Sequence, residues 1–81
     1  MKLLRNLSGD ELASLLGRYG YRVTRQVGSH MRLTASSQGR EHHITIPRHR
    51  PLRLGTLNQI LKDVAVFLKR DKSELIRELF P

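Results

Sequence analysis

The sequence predicts an α+β domain: one helix, three antiparallel strands, a second helix and a short third one, with the helices on one side of the sheet. Three observations predict this. Apolar residues recur at helical spacing in segments that begin at capping or loop signals. Between the first two such segments, three stretches alternate apolar with polar residues and are divided by glycine-bearing turns. The alternation leaves one strand face almost wholly polar, so a single sheet covered on one side accounts for it.

The first helix opens at Ser8-Gly9-Asp10-Glu11, a capping box in which the serine side chain bonds the N–H of Glu11 and the glutamate reaches back. Leu7 and Leu12 fall where a hydrophobic staple would sit. Leu12, Leu15, Leu16 and Tyr19 mark the buried face, and Gly20 is placed to end the helix in a left-handed conformation.

The first strand, Tyr21 to Val27, sets Tyr21, Val23 and Val27 on one face against Arg22, Thr24 and Gln26 on the other, with Arg25 interrupting the apolar face. Gly28-Ser29 reads as a hairpin turn, because glycine at its first central position suits type II′ geometry. The second strand then alternates His30, Arg32 and Thr34 outward with Met31, Leu33 and Ala35 inward. Ser36-Ser37-Gln38-Gly39 is the second turn. The third strand carries His42, Ile44 and Ile46 inward and His43 and Thr45 outward, and Pro47 stops it.

The second helix begins near Gly55 or Thr56, with Leu57, Ile60, Leu61, Val64 and Leu68 at helical spacing. Asp71-Lys72-Ser73-Glu74 caps a short final helix carrying Leu75, Ile76, Leu79 and Phe80. The apolar positions of these helices read as core.

The chain has 81 residues, enough for one domain over 1–81, with a core over about 8–68 and a C-terminal helical extension over 69–81. It has no cysteine, which excludes disulfides, zinc–thiolate sites and thiol nucleophiles and fits a reducing cytoplasm. No apolar run approaches the ~20 residues of a membrane span. The opening Met1-Lys2-Leu3-Leu4-Arg5-Asn6 carries charges inside its apolar run, which argues against a signal peptide.

Net charge is +8, and its distribution is more informative than its size. Between Leu12 and Lys62 stand Arg18, Arg22, Arg25, Arg32, Arg40, Arg48, Arg50, Arg53 and Lys62 against one acid, Glu41. A middle so poor in acids reads as a surface for a polyanion, and arginine's fork suits phosphate. His42-His43 does not suggest a metal site, since neighbouring strand residues point to opposite faces. His42 reads as a half-buried structural residue. No cofactor is expected.

The loop Arg48-His49-Arg50-Pro51-Leu52-Arg53 adds three arginines and a histidine just before a helix N-terminus, a combination suited to an anion. His30, directly after the Gly28-Ser29 turn, shares the polar face with Arg22 and Arg32. Such a face is open to two readings: a solvated sheet surface, which composition alone favours, or a site where an imidazole among arginines does chemistry at a phosphate. On the second reading His30 is the general base, Arg32 the phosphate clamp, and Arg48 and Arg50 position the backbone. Arg22 lies on the same binding face, His49 is a candidate acid, and Gly28 and Ser29 shape the turn.

Gly28-Ser29-His30, Ile46-Pro47-Arg48-His49-Arg50-Pro51-Leu52 and Leu54-Gly55-Thr56-Leu57-Asn58-Gln59-Ile60-Leu61-Lys62, taken together, closely resemble the HicA family, small toxins of type II toxin–antitoxin modules. The resemblance covers roughly Ser8 to Val64. It implies a double-stranded-RNA-binding-domain-like α-β-β-β-α fold and mRNA-interferase activity, with the family's essential histidine falling on His30. It also implies a HicB-type antitoxin that covers the active region and represses the operon, so that DNA is contacted only through that partner. The segment Lys69 to Pro81 is an extension that not all relatives carry. Two other functions compete with cleavage. One is a non-catalytic double-stranded-RNA-binding module. The other is a DNA-binding repressor subunit, for which Thr56 to Leu68 has too few basic residues on its exposed side to read a major groove.

Overall fold

A computed structural model describes residues 6–81; the charged opening Met1–Arg5 lies outside them. The elements run α1 (Gly9–Leu16), a 3₁₀ turn (Gly17–Tyr19), β1 (Arg22–Val27), β2 (His30–Ser37), β3 (Arg40–Pro47), α2 (Leu54–Leu68) and α3 (Lys72–Leu79). The sheet is antiparallel in the order β1-β2-β3. This is the expected α-β-β-β-α arrangement followed by a third helix.

The local signals operate as their chemistry requires. Ser8 Oγ accepts from Glu11 N–H at 3.1 Å, while Ser8 N–H donates to Glu11 Oε1 at 2.9 Å. These two bonds hold the Glu11 carboxyl below its ordinary pKa, the backbone N–H of Ser8 contributing most. The α-helical turns stop at Leu16, one 3₁₀ turn follows, and Gly20 closes it at φ 89°. Asp71 caps α3 by accepting from the N–H groups of Ser73 and Glu74.

One core joins the helices to one sheet face. Met31, Leu33, Ala35, Ile44 and Ile46 from the strands meet Leu12 and Leu16 of α1, then Leu57, Ile60, Leu61, Val64 and Phe67 of α2. Leu75, Leu79 and Phe80 extend it at the C-terminus, with Leu15, Tyr19, Leu68 and Ile76 packed at its rim. His42 lies inward but half-buried: its Nδ1 shares a 2.7 Å hydrogen bond with the Tyr21 hydroxyl, and its ring stacks on Phe67. Burial lowers the His42 pKa and raises that of Tyr21 to about 12, so both favour their neutral forms.

Three expectations need correction. The second turn is confined to Gln38 and Gly39, at φ 53° and 77°, because Ser36 and Ser37 belong to β2. Two successive positive φ values are the type I′ pattern, whose twist matches the strands it joins. Helix α2 starts at Leu54, one residue earlier than expected, and Arg53 precedes it without a side-chain cap.

The third correction concerns β1. Val23 pairs with Leu33, but the next matched pair is Arg25 with Arg32, so Thr24 is an extra residue in the strand. This β-bulge reverses the alternation beyond it. Arg25 and Val27 therefore join the helix-free face, opposite Arg32 and His30, and Gln26 turns to the face of Met31. Strict period-two counting assigns these three residues the other way round. The Thr24 side chain ties the bulge down, donating to the Arg32 carbonyl at 3.3 Å and sharing a 2.8 Å bond with Thr34.

Candidate functional site

The helix-free face is organised in rows across the three strands. Val27, His30 and Pro47 form the row at the hairpin tip. Arg25, Arg32 and Thr45 form the next, and Arg22, Thr34 and His43 the one beyond. His30 is exposed, as are Arg22, Arg25, Arg32 and His43. Thr34 Oγ1 bonds His43 Nδ1 at 2.8 Å, and His43 Nε2 lies 3.6 Å from Glu41, so that imidazole is held on both sides.

The turn that presents His30 is tied to the end of β3. Gly28 takes φ 57°, as the expected turn requires of its first central residue. The carbonyl of Ser29 accepts from Arg48 N–H at 2.7 Å, tying the turn to the chain leaving β3. That chain is in turn clasped to α1: Gly9 N–H donates to the His49 carbonyl at 3.0 Å, and Leu52 N–H to the Leu7 carbonyl at 2.7 Å. Gly9 has no room for a side chain, because a Cβ there would stand 1.9 Å from the Pro47 oxygen.

The loop arginines point elsewhere than expected. Rather than flanking the start of α2, Arg48 forms a two-pronged pair with Asp10 in the first turn of α1, Nε to Oδ1 at 2.9 Å and Nη2 to Oδ2 at 3.1 Å. Arg50 approaches Glu11 at 3.9 Å. The acids that bias the start of α1 attract these guanidiniums, an arrangement favourable for both. His49 is exposed, and its carbonyl accepts from Gly9 N–H.

Of the residues singled out from the sequence, His30, Arg32 and Arg22 thus share one face, with Gly28 and Ser29 building the turn. Arg48 supports that turn through its backbone, while its side chain is held by Asp10. Sequence reasoning missed Arg25, Gly9 and Asp10. Arg25 was hidden by the bulge, and Gly9 and Asp10 act through partners nearly forty positions away. His42 and His43 face opposite sides of the sheet, and no three of the described His, Asp or Glu residues are grouped to hold a metal ion. No helix among the described residues is long and apolar enough to cross a membrane.

The family model described as the HicA toxin of bacterial toxin–antitoxin systems matches residues 9–66, from the first residue of α1 almost to the end of α2. No curated protein and no solved structure matches the chain.

Proposed function

The chain belongs to the HicA toxin family of bacterial toxin–antitoxin systems, and on that premise we propose that it is an mRNA interferase, an endoribonuclease with His30 as its general base. The observation that carries this reading is the setting of His30. It is an exposed imidazole at the hairpin end of the sheet, on a turn tied to the chain leaving β3, with arginines in the adjoining row.

The chemistry needs few parts. The His30 imidazole takes the proton of a ribose 2′-OH, and the 2′-oxygen attacks the neighbouring phosphorus. The bond from phosphorus to the 5′-oxygen breaks, leaving a 2′,3′-cyclic phosphate on one fragment. The departing 5′-oxygen takes a proton from solvent or from His49, the exposed imidazole of the following loop. Arg32 offers N–H groups to the non-bridging oxygens as they gain charge. Arg22 lies farther along the same face as a backbone contact, and Arg48 and Arg50 brace the loop beside it.

The partner that restrains such an activity is an antitoxin of the HicB type, covering the His30 end of the sheet. Operon DNA would then be contacted through the antitoxin, and the place of action is the cytoplasm, where the mRNA is.

The test is His30→Ala. The variant should keep the circular dichroism of the parent, lose cleavage of single-stranded RNA and no longer arrest growth on induction. Growth arrest by the folded variant would remove His30 from catalysis. RNA that is bound but left intact by the parent would favour the non-catalytic RNA-binding module instead.

A further inference from the structure

The bulge at Thr24 places two arginines directly across from one another. Arg25 and Arg32 are Cα partners on the exposed face, a register that puts their backbones about 4.5–5.5 Å apart. Like charges in this arrangement destabilise a sheet. None of the ion pairs among the described residues involves either arginine. Glu41, the acid on this face, pairs with Ser36 two rows away and has its own contact with His43. A regular strand would have avoided the conflict, since without the extra residue Arg25 would face the helix side. The bulge is also reinforced by the two bonds of the Thr24 hydroxyl.

Unbalanced paired cations on a fixed backbone are what an anion site requires. We propose that Arg25 and Arg32 form a two-arginine clamp for a single phosphodiester of single-stranded RNA, and that the bulge exists to bring Arg25 into it. The inference rests on the endoribonuclease reading and extends it by assigning Arg25 and the form of the substrate.

Position and chemistry both select the single strand. The clamp lies one row from His30, about 7 Å along β2, a span that one nucleotide of an extended chain covers. The phosphate it holds is therefore the one that follows the ribose at His30, the scissile phosphate on which Arg32 acts. Attack by a 2′-oxygen requires that oxygen to line up behind the breaking phosphorus–oxygen bond, a geometry that an A-form duplex does not allow. Duplex recognition also relies on contacts spread over about 16 base pairs, whereas this site is one row on an open face. Arginine forks suit the task, because each offers two parallel N–H groups to a phosphate.

The test uses the full chain carrying His30→Ala, so that the RNA stays intact, with binding of a labelled short single-stranded RNA followed by fluorescence anisotropy over a salt series. Arg25→Ala should weaken binding by about tenfold, as expected for loss of a charge-assisted phosphate contact, and reduce the salt slope by about 0.7. The decisive variant is the exchange of Arg25→Gln with Gln26→Arg. It keeps the net charge but moves the guanidinium to the other face, and it should weaken binding as much as Arg25→Ala. Arg25→Lys, which retains charge and loses the fork, should fall between. Both arginine positions are exposed, and circular dichroism of each variant checks that the fold is kept.

Parent-like affinity in the exchange variant would overturn the clamp in favour of net charge alone. Unchanged affinity in Arg25→Ala would overturn the anion site. Equal loss on the same RNA annealed to its complement would overturn the single-strand assignment. Cleavage by the chain with His30 intact is measured separately. Its absence, with the Arg25 effects on binding retained, would sink the nuclease reading and leave the clamp standing.

Discussion

Replacing Gly9 by alanine sets two physical effects against each other at one atom. Gly9 opens α1, where alanine has the better helix propensity, worth about 0.5–1 kcal/mol in a helix interior. The new Cβ, however, would stand 1.9 Å from the Pro47 oxygen, 2.9 Å from its carbonyl carbon and 3.1 Å from Arg48 Cα. All three are backbone atoms of the segment leaving β3, so no side chain can swing away. Restoring a tolerable separation requires α1 and that segment to part by about 1 Å. This would stretch the 3.0 Å bond from Gly9 N–H to the His49 carbonyl beyond useful length, at a cost of about 0.5–1.5 kcal/mol. Leu12 and Leu16, both fully buried, would shift with the helix, and such overpacking costs about 1–3 kcal/mol. The clash outweighs the propensity gain, for a net loss of about 2 kcal/mol. In a domain of this size that lowers Tm by about 8–16 °C. Urea unfolding of Gly9→Ala beside Gly55→Ala makes the comparison, because a Cβ at Gly55 meets nothing within 4 Å. Gly55→Ala should be neutral or slightly stabilising. A Gly9→Ala protein as stable as its parent would refute the close approach of α1 to β3. RNA cleavage should fall in the same variant, since the displaced segment carries the N–H that braces Ser29.

Further outcomes follow from the same contacts. Asp10→Asn, Arg48→Ala and the double variant should show a coupling of about 0.5–1 kcal/mol in unfolding, since both side chains are about half exposed. Their cleavage rate should fall while the pH profile keeps its shape, because the pair supports the His30 turn without exchanging its proton. Glu78 is held down to about 2 by the Arg70 guanidinium and then by the Tyr19 hydroxyl. Its carboxyl is depressed from an ordinary 4.5, so its contribution is complete above that value and is lost as pH falls towards 2. Amide exchange in α3 should therefore accelerate in acid relative to the sheet, and Glu78→Gln should remove that dependence. Tyr21→Phe leaves the half-buried His42 Nδ1 without its partner and should cost about 1 kcal/mol in urea unfolding, with cleavage retained.

Much of this molecule is written in short-range signals. The capping box at Ser8, the alternation of His30 to Ala35, the apolar period of α2 and the positive φ at Gly28 each depend on residues within one turn or one strand of each other. They determine the order of elements, the core and the exposure of His30, and so the type of chemistry that the surface can support. What the sequence could not specify depends on pairing at a distance. Whether β1 stays regular is decided by its register against β2, and the register inserts Thr24 as a bulge, moving Arg25 and Val27 to the His30 face and Gln26 away from it. The loop arginines had two helix starts to choose from, and the carboxylates of Asp10 and Glu11 draw Arg48 and Arg50 to α1 rather than α2. Nothing local marks Gly9 as a contact point, because its constraint is the oxygen of Pro47, nearly forty positions later. The sequence alone thus determined which surface is cationic and that His30 stands exposed on it. Only the tertiary structure decided which arginines share the face of His30 and which are drawn to α1, because hydrogen-bond register and packing set the direction in which each side chain points.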